Sequence, residues 1–168
     1  MMKMHSRKGF TLIELILAVA LTAVIIVAAC SVLFVGGSFF KSGTANAANQ
    51  QKATLVESYL QRYASTASKA SSTNDGKSAG IIFALKDGTL KISSQTVAGS
   101  TATVAPVASI DGIGQIGLNL DHNNSLNYTI VSVDNSYTLR GGIVMNNFGS
   151  GEVKNLPDTN GTVLFLFS

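Results

Sequence analysis

Glu14 is the side chain with the most unusual chemistry in this sequence of 168 residues. It is the only charged residue from Phe10 to Phe40, and the residues around it are almost all apolar. A carboxylate held deep in a bilayer costs roughly 2.5–3.5 kcal/mol. Intramembrane acids are rare and are usually paired. At headgroup level the same carboxylate would cost little. If it lies deeper it needs a cation, and the next one along the chain is Lys41. A cut after Gly9 would create one, because Phe10 would then carry a new α-amino group. That amine, on a neighbouring copy, is a partner of the right charge.

Other residues with chemical potential do not assemble into a reaction. His5 lies in the short basic leader, and His122 stands alone in a polar turn. No G-x-S-x-G pattern supplies a nucleophile for it. No His/Cys cluster has metal-ligand spacing, and no glycine-rich phosphate loop occurs. Asp121-x-Asn123-x-Ser125 has the first half of a calcium loop's spacing, but it lacks the Gly at the sixth position and the Glu at the twelfth. A plain Asx turn is the simpler reading, with Asp121 and Asn123 as weak calcium candidates. No catalytic residues are assigned, and no cofactor is expected.

The element that positions Glu14 is an apolar run. From Leu15 to Val35 the only non-apolar side chains are Thr22, Cys30 and Ser31. At ~1.5 Å per residue this run rises about 30 Å, the thickness of a bilayer's hydrocarbon core. It is apolar on all sides, so it lies in lipid or in a large core, and a chain this short has no such core. Lys3, Arg7 and Lys8 precede it without an acid among them. The positive-inside rule therefore places the N-terminus in the cytoplasm of a single-pass protein.

Gly9-Phe10-Thr11-Leu12-Ile13-Glu14-Leu15 resembles the class III signal of type IV pilins, pseudopilins and competence pseudopilins. The resemblance covers about a fifth of the chain. It implies that a prepilin peptidase recognises Arg7 and Lys8 and cuts after Gly9, and that the new N-terminal Phe10 is methylated. It also implies that Glu14 neutralises the Phe10 amine of an adjacent subunit during assembly. Some pseudopilins bind calcium, which is why Asp121 and Asn123 stay in view. Many relatives carry a helix-loosening Pro or Gly in the segment; here neither occurs before Gly36-Gly37.

Two rival signals are weaker. Val27-Ala28-Ala29-Cys30 is similar to a lipobox, but the chain stays apolar after it. Ala45-Asn46-Ala47 offers an A-x-A cleavage site, but the apolar region before it is far longer than a signal peptide's. The net charge of +3 does not point to nucleic acid either. The excess is Lys3, Arg7 and Lys8, and without residues 1–9 nine basic and nine acidic side chains remain.

The resemblance implies an α+β fold: a long N-terminal helix, membrane half then amphipathic half, packed on a C-terminal antiparallel β-sheet. The expected divisions are a leader over 1–9, a membrane or filament-core helix over 10–40, its amphipathic continuation over 41–70 and an extracytoplasmic sheet domain over 71–168. Leu55, Val56, Tyr59, Leu60 and Tyr63 form the expected apolar face. Asp87-Gly88 between two apolar runs predicts a hairpin. Residues 94–109 read as a loop with one short edge strand. Strands are expected over 116–120, 128–133, 137–140 and 143–145, with a bulge at Gly141-Gly142. Residues 149–161 read as loop, and 162–167 as a final apolar strand that pairs in the sheet or covers the helix. The expected destination is the cytoplasmic membrane, then a surface pilus or pseudopilus. The expected partners are the membrane, the peptidase and other pilin subunits, with no nucleic acid.

Overall fold

The computed structural model describes residues 11–72, 77–121, 124–152 and 163–167. One helix, α1 (Leu12–Ala64), opens the described chain. The strands follow: β1 (Lys69–Ser71), β2 (Gly80–Lys86), β3 (Thr89–Ala98), β4 (Thr101–Asp111), β5 (Ile113–Leu120), β6 (Ser125–Ser132), β7 (Thr138–Val144), β8 (Ser150–Glu152) and β9 (Val163–Phe167). This is the expected α+β arrangement. The chain separates into two compact units, Met1–Thr44 and Ala45–Ser168.

Within the second unit a six-stranded sheet has the order β4-β3-β2-β9-β1-β8, and a three-stranded sheet has the order β5-β6-β7. Neighbours run antiparallel except β1 and β8, which are parallel. The final apolar run is not an edge. β9 lies between β1 and β2, antiparallel to both, and Leu164 to Phe167 are all buried. Its alternating pattern is absent because a strand covered on both faces has no polar side.

The predicted hairpin is present. Lys86 pairs with Thr89, and Asp87 (φ 50°) and Gly88 (φ 72°) both take the left-handed conformation of a two-residue turn. That turn matches the twist of the flanking strands, and Gly supplies the positive φ without a Cβ clash.

Several expectations are corrected. The amphipathic segment is helical only to Ala64, not to Ala70, because Lys69–Ser71 pairs with β8 and β9 instead. Its buried face is Ala53, Val56, Leu60 and Ala64 with Tyr59 and Tyr63 beside it, while Leu55 is 46 % exposed. Tyr63 meets the Phe83 ring edge-on at 6.4 Å, which seats this part of the helix on β2. Residues 94–109 are not a loop: they complete β3 and form most of β4, an edge strand. Pro106 is tolerated there because an edge strand needs only one side of its backbone for the ladder. Ser150–Glu152, also read as loop, is β8, and residues 153–161 lie outside the described residues.

The bulge expected at Gly141-Gly142 is absent: β7 stays in register with β6, Asn127 opposite Gly142 and Tyr128 opposite Gly141. A Cβ on Gly141 would come within 3.0 Å of Tyr128 Cε1, so the glycine makes room for the ring. The irregularities fall instead between Ile113 and Gln115 of β5 and opposite Ile92/Ser93 in β4.

Candidate functional site

The first unit presents Glu14 at the start of an exposed apolar helix. Thr11 precedes α1, and its carbonyl accepts from the backbone N–H groups of Glu14 (3.1 Å) and Leu15 (3.3 Å). The Thr11 N–H in turn points at Glu14 Oε2, 3.4 Å away. This is half of a capping box, in which an acid three residues into a helix reaches back to the first amide. The Thr-x-x-Glu spacing was visible in the sequence and was overlooked there. At 3.4 Å the contact is longer than the 2.7–3.2 Å usual for N–H···O bonds, so it leaves most of the carboxylate's accepting capacity unused. The helix N-terminus favours a negative charge at this place.

Beyond Glu14 the segment offers lipid or a neighbouring helix nothing polar. Thr22 donates to the Ala18 carbonyl (2.7 Å), Ser31 to that of Val27 (2.9 Å), and Ser38 to that of Val35 (2.8 Å). Each hydroxyl is thus satisfied within its own helix. The large apolar side chains from Leu12 to Phe40 are exposed, Phe34 to 86 %. Burial of such a side chain is worth about 1.5–3 kcal/mol, so this surface demands an apolar partner. α1 is long and apolar enough to cross a membrane. Cys30 is exposed on this segment.

Arg7, Lys8, Gly9 and Phe10, to which the sequence assigns recognition, cleavage and methylation, lie outside the described residues, as does Asn123. Asp121 is described: its N–H donates to the Ser125 carbonyl (2.8 Å), and its carbonyl accepts from Asn124 (3.2 Å). Among the described residues no three His, Cys, Asp or Glu side chains come together as metal ligands.

The second unit fastens its part of α1 with three polar contacts that sequence reasoning missed. Asn49 donates to both carboxylate oxygens of Asp134 (3.1 and 2.9 Å) and to Ser136 Oγ (2.9 Å). Lys52 pairs with Asp111 at 3.0 Å. Glu57 accepts a hydrogen bond from the Tyr128 hydroxyl. The partners are 59 to 87 residues apart in sequence, so no local pattern could have shown them.

These contacts shift the groups involved. Hydrogen bonds from Ser132, Ser136 and Asn49 hold Asp134 well below the ordinary carboxylate range. A hydrogen bond and the charge of Lys52 lower Asp111. Burial, then the bond to Glu57 and its negative charge, push Tyr128 up to about 12. The arrangement fixes a helix on a sheet and carries no catalytic geometry. A cleft of about 320 Å³ beside Tyr63, Gly80 and Phe167 is mostly apolar, and the amide of its Gln95 is already bonded to the Ser78 carbonyl at 2.9 Å.

Residues 4–29 match the family model of the prokaryotic N-terminal methylation motif. No curated protein and no solved structure matches the chain significantly. The motif implies processing by a prepilin peptidase and association with a membrane, and its families are structural rather than enzymatic. Residues 4–29 thus carry the kind of signal found on type IV pilin-like precursors, and the apolar helix that begins within it is exposed.

Proposed function

We propose that this protein is a structural subunit of a type IV pilus-like filament: a pilus, a competence pseudopilus or a secretion pseudopilus. The peptidase cuts after Gly9 with Arg7 and Lys8 as its recognition residues, and Phe10 becomes the methylated N-terminus. The precursor waits in the cytoplasmic membrane with its N-terminus inside and its sheet unit outside. Subunits then leave the bilayer as their apolar helices pack together into a cell-surface pilus or a pseudopilus.

The observation that carries this reading is Glu14, the one charge between Phe10 and Phe40, whose side-chain contact among the described residues is the long one to Thr11. In a permanent anchor the acid does no more than cap its own helix. A polymerising helix gains registry, because an amine from the next subunit can neutralise the carboxylate in one axial position only. The alternative is a single-pass anchored domain that binds a ligand outside the membrane and never polymerises.

Mass spectrometry of the membrane-extracted protein, with and without a co-expressed prepilin peptidase, tests the processing. The expected product begins at methylated Phe10 only when the peptidase is present. A chain that still begins at Met1, or begins at Cys30 or Ala48, overturns the reading. Glu14→Ala should leave cleavage intact and abolish or strongly reduce sheared filaments. Unchanged filaments with the variant would remove Glu14 from assembly, and a wild type that never forms filaments hands the case to the anchored domain.

A further inference from the structure

Where α1 ends, the six-stranded sheet is not fully covered. Tyr63, Thr66 and Ala67 line one side of a cleft of about 320 Å³, and Ile81, Leu166 and Phe167 line it from the strands. Ala79, Gly80 and Ser94 leave the space open because they are small. Gly80 has to be small, since a Cβ there would strike the Leu166 carbonyl. An apolar cavity of about 150 Å³ is enough to hold benzene, so this cleft has room for two fused rings. Its size is also at the lower end of the range for ligand pockets, about 300–1,000 Å³.

The polar groups around this space say what kind of ligand it suits. The buried Gln95 already gives its amide to the Ser78 carbonyl, so an apolar body can lie against it without stranding that donor. The charges nearby are all of one sign. The Arg62 guanidinium lies 5.7 Å from the centre of the Tyr63 ring, and the Lys69 ammonium lies 5.3 Å from that of Phe167. Both rings belong to residues that line the cleft. Among the described residues, no carboxylate lines the cleft and none pairs with Arg62 or Lys69. A guanidinium laid on an aromatic face keeps its N–H fork for a second partner, and that fork matches a carboxylate.

We propose that this cleft is a binding site for a small aromatic carboxylate. The flat apolar body enters the cleft, and the carboxylate stays at the rim on the Arg62 guanidinium. Tyr63 and Phe167 favour a ring over a flexible chain, because aromatic groups gain from stacked or edge-on contact beyond the area they bury. Arg62 favours a carboxylate over a neutral group, and Lys69 adds positive potential on the strand side. Every residue of the site belongs to the second unit. The site therefore needs only that unit folded, and it stands apart from the filament reading.

The test is calorimetric titration of the full-length protein in phosphatidylcholine nanodiscs, with empty nanodiscs as the blank. The probes are 2-naphthoate and its neutral isostere 2-naphthamide. Saturable binding of 2-naphthoate is expected, with a dissociation constant below about 1 mM and about fivefold or more below that of 2-naphthamide. Arg62→Gln should remove this preference and leave 2-naphthamide unchanged. Ala79→Trp puts an indole from an exposed position into the cleft and should abolish binding of both probes. Thr96→Trp, also exposed, does the same from β3 if the first variant melts early. No saturable binding above the blank, equal affinity for the two probes, or binding insensitive to Arg62→Gln or to both tryptophan variants overturns the proposal.

Discussion

Tyr128 combines three structural roles at the level of a single residue. Its ring lies over Gly141, its hydroxyl donates to Glu57 on α1, and its surroundings disfavour the phenolate. Tyr128→Phe keeps the ring and strands the half-buried Glu57 carboxylate, which should cost about 1–3 kcal/mol in denaturant unfolding. Gly141→Ala drives a methyl into the ring and should cost about 1–3 kcal/mol through overpacking. The pH dependence has a definite sign. Tyr128 has a folded pKa above its ordinary value of 10.0. Its contribution is complete below about pH 10 and is lost as pH rises towards 12, so Tyr128→Phe should flatten the alkaline limb of a stability profile. Asp134 is shifted the other way, below its ordinary 3.8. Its contribution is present above about pH 4 and disappears as pH falls further, and Asp134→Asn should reduce that acid sensitivity. Melting temperatures measured across pH for both variants check the two limbs separately.

Among the elements, those whose signal is local were legible. The apolar run could only be a helix for lipid or for its own kind, and the Asp87-Gly88 turn named its hairpin. The elements that were misread get their shape from distant partners. Ser65 to Ala70 contains no Gly or Pro to stop a helix, and Lys69–Ser71 becomes a strand because β8 and β9 lie on either side of it. β4 is rich in Ser, Thr and Ala and carries a proline, so it lacks the apolar alternation of a strand; the ladder to β3 holds it extended. Glu14 was legible as an anomaly, and the Thr11-x-x-Glu14 spacing also carried the signal of its cap contact. The polar contacts of Asn49, Lys52 and Glu57 were not legible at all, because each depends on how strands distant in sequence return to the helix. β9 gives a direct test of this layer: Leu166→Ala removes a fully covered side chain from an interior strand and should cost about 2–5 kcal/mol.

On the scale of the whole molecule, the two units answer to different solvents. The first exposes apolar side chains almost throughout, and the second has its own buried cluster from Ala53 to Leu166. A fragment of residues 45–168 should therefore fold without the first unit, stay in solution without detergent and melt cooperatively by circular dichroism. An absence of cooperative melting would mean that the apolar segment contributes to the second core. The strand order also has a temporal meaning. β1 and β2 follow each other in the chain, yet β9 fills the gap between them, and the ribosome delivers β9 after every other described strand. Until it arrives, two facing backbone edges and their apolar side chains stand open. A stalled or prematurely terminated chain is thus marked by its own architecture, since the missing strand is the one that seals the sheet. A chain that stops before β9 leaves this core unsealed, which gives proteases a structural criterion for discarding it.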